Sequence, residues 1–352
     1  MKRTAFLAAL VMAALIAAAP AAARKPVEVV FMTTPFGTHM YSVGAAAEQV
    51  FKKAGSWVHI KHQETPGAMY MYRYMVKNRE KMKRGEVDHT IVIGSTALVS
   101  YLAQGRPPFK RFPWPTCRAL VSSPAVMGVY ATFDPTIKSL KDLAGKRVGT
   151  GERSRPFQGI LLDKPLFSVL GIFKQIKWAP LGAVGSKDAF LNGRLDAVPL
   201  RMMGLLMVAK KGLLVTPRCA GGPATMEILN SGKKLYFIPY SLKLLQKVNS
   251  LPGVLTQYPV LFKKGAFKGL DRDVLGRAGP GAVLCDAGLP DEVAAEIARV
   301  WSTHRQDFAR YHAVLNFLPR TPYPLGARPA EVHPGTLQAM KRMGLAIPKV
   351  KF

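Results

Sequence analysis

The chain has 352 residues, 49% of them hydrophobic, and carries 50 Lys and Arg against 21 Asp and Glu, a formal net charge of +29. That length exceeds one ordinary domain and the apolar fraction supplies sizeable cores, so two domains are expected. The basic residues are spread in ones and twos, with no arginine-rich arm and no basic helix interleaved with aromatics. This argues against nucleic acid and for a basic solvated surface, with attraction of anionic solutes or lipid headgroups as the other use of the charge.

Lys2 and Arg3 precede an apolar run over residues 5–19, and Ala21, Ala22 and Ala23 are the small residues a signal peptidase reads. The order predicts a signal peptide over residues 1–23, cleaved near Ala23, and a periplasmic mature protein. The run is shorter than the roughly 20 residues that span a bilayer, and no later stretch reaches that length. Cys117, Cys219 and Cys285 are an odd number and widely spaced, which fits no zinc pattern. They read as small buried apolar residues, with one bridge, such as Cys219 to Cys285, as the alternative.

Residues 25–33 are a β-rich run leading into Thr34, Pro35, Phe36, Gly37 and Thr38, and residues 41–54 carry a helical apolar stripe that Gly55 ends. Residues 57–62 alternate as a second strand. His59 and His62 would therefore point to opposite faces, which makes them core or surface histidines and not a metal pair. Thr65, Pro66 and Gly67 turn the chain into a helix over residues 69–83, whose tyrosines and methionines face several ways, as packing residues do. Residues 90–93 are a fully apolar strand followed by Gly94, Ser95 and Thr96. Three loops thus reach one sheet edge, and ligands of open α/β sheets sit beyond the carboxyl ends of strands.

Residues 105–115 are proline-rich and irregular, and residues 118–133 are a long β-type segment that crosses between domains, with the first hinge near Ser123 and Pro124. Ser139 caps a one-turn helix with Asp142 at its third position, Gly145 stops it, and residues 147–150 form a short strand. Gly151 opens the loop Glu152, Arg153, Ser154, Arg155, and Pro156 suits the first position of a helix over residues 157–170. Two guanidiniums meeting backbone N–H groups at a helix start describe an anion site. Residues 176–180 read as a strand, 186–192 as a helix ended by Gly193, and 196–200 as a strand with Arg201 at its end, a cleft candidate. Residues 235–238 are a further strand, 246–277 a loop-rich return, and 282–285 a second crossing. A helix starting at residues 289–292 turns Val293, Ile297, Val300 and Trp301 to one side to pack on the first domain, and His333, Pro334 and Gly335 begin a last helix that ends at Gly344.

Catalytic signatures are missing. Gly149, Gly151 and Ser154 imitate a dinucleotide fingerprint but lack its third glycine and its acid, and there is no phosphate loop, nucleophile elbow or zinc helix motif. No enzyme, cofactor or metal is expected.

Asp134, Pro135, Ile137, Ser139, Leu140, Asp142, Leu143, Gly145, Lys146, Arg147, Val148 and Gly151 form a pattern similar to the entry to the second domain of type II periplasmic solute-binding proteins. With residues 36–44, residues 190–197 and His333-Pro334-Gly335, the chain resembles more narrowly the TAXI-type receptors of TRAP transporters, over nearly its whole mature length. The resemblance implies an α/β, two-lobed type II periplasmic-binding-protein fold, each lobe a mostly parallel sheet flanked by helices, with a hinged cleft. Residues 24–125 and 283–352 would form the first lobe and 126–282 the second. It also implies a monomeric receptor that takes a small anionic organic solute, a carboxylate or dicarboxylate, and delivers it to a TRAP-type membrane permease. The ligand-binding residues expected are Thr34, Gly37, Thr38, Tyr41, Gly67, Gly94, Ser95, Thr96, Gly151, Arg153, Ser154, Arg155 and Arg201. Pro35 and Phe36 depart from the family's glycine-rich first loop, and Glu152 to Arg155 replace a loop of Gly-Ser-Gly type. The rival reading is therefore a basic periplasmic protein of the same fold that has lost solute binding and acts through a protein partner or the membrane surface.

Overall fold

The computed structural model describes residues 24–36, 38–152 and 159–351. In its first part β1 (Val27–Thr33), β2 (Val58–Glu64) and β3 (His89–Ser95) run parallel, with β1 in the middle. Parallel neighbours need crossovers, and α1 (His39–Lys53), α2 (Ala68–Lys83) and α3 (Ala97–Ala103) follow the three strands in turn. Helix α1 buries Val43, Ala46, Ala47, Val50 and Phe51, the one-face spacing of an amphipathic helix. It starts before the expected Tyr41 because the Thr38 hydroxyl accepts from the Tyr41 N–H and caps it at His39.

The chain then enters β4 (Cys117–Thr132), of sixteen residues. After it, Leu140–Leu143 is a 3-10 turn in which Ser139 and Asp142 form the anticipated capping box, and Gly145 takes a left-handed φ of 76°. The middle of the chain is built from short pieces: β5 (Arg147–Gly149), α4 (Ile160–Val169), β6 (Lys177–Ala179), α5 (Gly182–Leu191) and β7 (Val198–Gly204), then β8 (Met207–Val208), β9 (Leu214–Thr216), β10 (Cys219–Gly221), α6 (Pro223–Leu229), β11 (Tyr236–Ile238) and α7 (Leu242–Asn249). Residues 246–277, expected to be loop-rich, instead hold β12 (Tyr258–Phe262) and the start of β13 (Val274–Asp286). Pro259 makes the run look like a strand breaker, yet Tyr258 before it and Val260 and Phe262 after it are buried, and their burial decides the local structure.

Eleven strands form one mixed sheet, ordered β10-β7-β4-β13-β12-β9-β8, with β3 joined to β13, β1 and β2 beyond it, and β11 on β4; β5 and β6 are a separate parallel pair. Pairing is parallel around β1 and antiparallel through β4, β7 and β13. The boundaries 125/126 and 282/283 fall inside β4 and β13, whose register shifts between Gly279 and Gly281, opposite Ser123 and Val126. One apolar core runs along the sheet from Val29 to Phe262, and a second gathers Ile137, Leu140, Leu143, Val148, Leu166 and Phe167. Helix α8 (Asp291–Thr303) lies on the first strands: the Trp301 ring sits 6.4 Å from Phe31, and its indole N–H donates to Ser122 O at 2.8 Å. Helix α9 (Pro334–Arg342) packs on α8, and the tail beyond it returns to the turn between β8 and β9, where the Lys351 N–H donates to Gly212 O at 2.8 Å. All three cysteines are buried and free.

Gly281 sits at the register shift, where an added Cβ would lie 2.3 Å from Pro124 O and 2.8 Å from Ser123 O. Backbone cannot give way as a flexible side chain does, so Gly281→Ala should cost about 1–3 kcal/mol. Gly222→Ala, with nothing within 4 Å of the new atom, is the control; urea denaturation of both variants reads the difference.

Candidate functional site

The carboxyl ends of β1 and β2 meet at a cluster of hydroxyls. Thr34 Oγ1 lies 2.7 Å from Thr38 Oγ1, which donates to Pro35 O at 2.8 Å. Tyr41 stands edge-on to His62 at 4.6 Å and to Phe36 at 5.2 Å, and Phe36 is 77% exposed at the rim. Gly67 is the N-cap of α2 at φ 141°, held beside this cluster by Thr65, whose hydroxyl donates to Thr33 O. Thr34, Thr38, Tyr41 and Gly67 are thus brought together at one sheet edge.

The end of β3, which runs parallel to β1 on the side away from β2, docks on β13. Ser95 pairs with Gly281, and the Thr96 N–H donates to Pro280 O at 3.1 Å, so both rest on the register shift of β13. Gly94 is a close-packing position, since a Cβ there would meet Leu284 at 2.8 Å and the Tyr72 hydroxyl at 3.1 Å. Gly37, Arg153, Ser154 and Arg155 lie outside the described residues.

The other expected residues belong to the middle of the chain. Gly151 is buried, and Arg201 is not at a strand end as the sequence suggested: β7 continues to Gly204 and pairs with β4 and β10, leaving Arg201 in mid-strand. The strand was cut short in the reading because Arg201 follows an apolar run, whereas strand alternation puts Val198, Leu200 and Met202 in the core and Pro199 and Arg201 on the opposite face.

Beside Arg201 lies a buried charged network that sequence reasoning missed. Asp163 on α4 is fully buried; one of its oxygens accepts from Arg277 Nη2 at 2.6 Å and the other from the Thr150 hydroxyl at 2.8 Å. Arg277 on β13 also donates to Gln257 at 3.1 Å. Burial works against the Arg277 charge, yet Tyr240, Asp163 and Tyr130 around it hold its pKa above the ordinary value. Arg201 fares otherwise: burial, and the like charge of Arg277, lower its pKa despite the pull of Asp163. The one available signal was Asp163 itself, an acid inside the otherwise apolar start of α4.

A sequence profile of the family described as NMT1/THI5 like matches residues 116–230. No curated protein sequence matches the chain. Among solved structures, the periplasmic sulfonate-binding protein SsuA of a putative sulfonate ABC transporter from Methylobacillus flagellatus KT is similar at 13% identity and a TM-score of 0.50, over 94% of this chain and 99% of that one. A TctC solute binding protein from Polaromonas gives 12% identity and 0.48, covering 92% and 90%. MatC from Rhodopseudomonas palustris, with bound malate, gives 14% and 0.45, covering 90% and 97%. The chain has the two-lobed α/β fold of periplasmic binding proteins, a central sheet with flanking helices. Among the described residues, no helix is long and apolar enough to cross a membrane.

Asp163→Asn should destabilise the protein by about 3–5 kcal/mol, because it strands the Arg277 charge in the interior. Adding Arg277→Met should return most of that loss, as chemical denaturation of the single and double variants would record.

Four histidines set the response to acid. Burial lowers the pKa of His39 from 6.5 to about 4 and also depresses His62, His89 and His333. Between those values the unfolded chain takes up protons that the folded protein refuses, so stability rises with pH there and is lost as pH falls from 6.5 towards 4. Thermal melts across that window should show Tm dropping, with His39→Gln removing up to about 3 kcal/mol of the pH dependence.

Proposed function

We propose that the protein is a periplasmic solute receptor of a transporter, taking a small organic anion between two lobes that close about β4 and β13. The observation that carries this reading is the position of Ser95 and Thr96 on the β13 register shift, at Gly281 and Pro280. The hydroxyl cluster of Thr34, Thr38 and Tyr41 lies on one side of that point, beyond β3. The Thr150, Gly151 and Arg201 region lies on the other, beyond β7. Ligand groups docked beside strands that pass from one lobe to the other let binding energy bias a hinge equilibrium. In this reading residues 24–125 and 283–352 are one lobe, residues 126–282 the other, and residues 1–23 the export signal that is removed.

Anion preference is supported by the excess of basic over acidic residues and by Arg201, whose charge no hydrogen-bonded acid offsets among the described residues. The solute class is a carboxylate or dicarboxylate, Arg153, Ser154 and Arg155 contribute from their loop, and the recipient is a TRAP-type permease, as in TAXI-type receptors. No catalytic role is assigned.

A thermal-shift screen of mono- and dicarboxylates, sugars and amines on the mature protein tests this. A true solute at a hundredfold excess over its Kd should add about 2.7 kcal/mol of stability and reduce the radius of gyration in small-angle scattering as the lobes close. Should no solute shift the melt, the protein acts through a partner or the membrane surface instead.

A further inference from the structure

Between β7, α5 and α6 lies a cavity of about 30 Å³, lined by Thr150, Ser186, Lys187, Pro199, Arg201 and Thr225 among others. Two of its polar groups are shut off from solvent and have no hydrogen-bond partner among the described residues: Arg201 Nη2 and Ser186 Oγ. Ser186 is only 6% exposed. Buried polar atoms in folded proteins are nearly always paired, so two donors left open in one cavity call for a ligand that accepts.

The charges around the cavity say what kind. Lys187 is already engaged by Asp188 at 2.6 Å and Glu227 at 2.7 Å. Both oxygens of Asp163 are taken, by Arg277 and by Thr150. The Thr225 hydroxyl donates to the backbone carbonyl of Arg201. One guanidinium charge is therefore left over, facing a space with room for about two water-sized groups.

We propose that this cavity is the anion subsite of the receptor and takes a carboxylate head, with Arg201 Nη2 and Ser186 Oγ each donating to a carboxylate oxygen. The assignment rests on the receptor reading and names the part of the solute bound by the second lobe. A carboxylate brings two oxygens in one plane, one for each of the two open donors, whereas phosphate and sulfonate bring a third oxygen that meets no further open donor among the described residues lining the cavity. The head belongs either to a free small carboxylate or to a larger solute whose remainder extends towards the cleft. Occupation would relieve a charge that burial and Arg277 both disfavour.

The test uses the full mature chain, with melts and calorimetry against acetate, succinate, longer carboxylates, methanesulfonate and phosphate, for wild type, Arg201→Gln and Ser186→Ala. Carboxylates should raise the wild-type Tm. Stabilisation by acetate alone identifies the free anion as a sufficient ligand; stabilisation only by larger acids identifies a head group. Arg201→Gln should weaken binding at least tenfold while raising the Tm of the ligand-free protein, because it removes an unmatched buried charge. Ser186→Ala should weaken binding several-fold and leave the ligand-free Tm near wild type, and it keeps the question open to measurement if the arginine variant does not fold. A ligand-free Tm that falls in folded Arg201→Gln would make Arg201 structural and overturn the subsite. So would a carboxylate that binds both variants as tightly as wild type, although the receptor reading would survive. Methanesulfonate or phosphate binding as well as carboxylate overturns the ligand class, and a wild type that none of these anions stabilises overturns the subsite, while the receptor reading falls only if the wider screen of sugars and amines is silent too.

Discussion

The antiparallel pairing of β4 with β13 is the interaction on which the remaining architecture hangs. Every other strand of the large sheet is attached, directly or through one neighbour or two, to one of these two long strands. Their ladder slips at two places, between Val283 and Leu284 and where Gly279, Pro280 and Gly281 pass Ser123 to Val126. Backbone oxygens of Ser123 and Pro124 come so close to Gly281 that no side chain fits. A close backbone approach thus coincides with one of the two slips of the ladder, and the end of β3 is docked on it.

Below that point the interior contains an imbalance. A hydrophobic core tolerates charge only when it is matched, and here one carboxylate, Asp163, faces two guanidiniums. Arg277 takes the close hydrogen bond and is stabilised; Arg201 keeps only a longer-range attraction. Geometry decides the allocation, because Arg277 approaches from β13 and also reaches Gln257, whereas Arg201 projects from the far face of β7 into a cavity. A folded protein that leaves a cation in this condition sacrifices stability at that position, a pattern common to sites that wait for a ligand.

Much of this was legible in the sequence. The β1, α1, β2, α2, β3 order, the Ser139–Asp142 cap and the inward face of α8 followed from periodicity and turn chemistry, which are local. β4 was legible as a long β-type segment and the end of β13 as a short apolar one, whereas the first residues of β13 read as part of a loop-rich return. What stayed hidden is non-local. β12 carries a proline and is a strand only because β13 and β9 flank it. β8, β9 and β10 are two or three residues each, too short for any period to declare itself. Arg201 was picked out, but its setting was not, since Asp163, Ser186 and Thr225 come from separate helices. Gly94 was picked as a ligand contact on its place in a loop, where the structure sets it against Tyr72 and Leu284.

The tail after α9 gives the chain a third passage across the sheet, from the first strands' side back to Gly212 at the β8–β9 turn. Two adjacent strands alone act like a ribbon, which bends easily and twists as easily. In the receptor reading, a tether anchored away from that ribbon would resist twisting and leave bending free, channelling the motion of the two lobes into a single opening direction. The same contact sets the anchoring Lys351 one residue before Phe352, so an extension fused after Phe352 would begin two positions beyond the anchor.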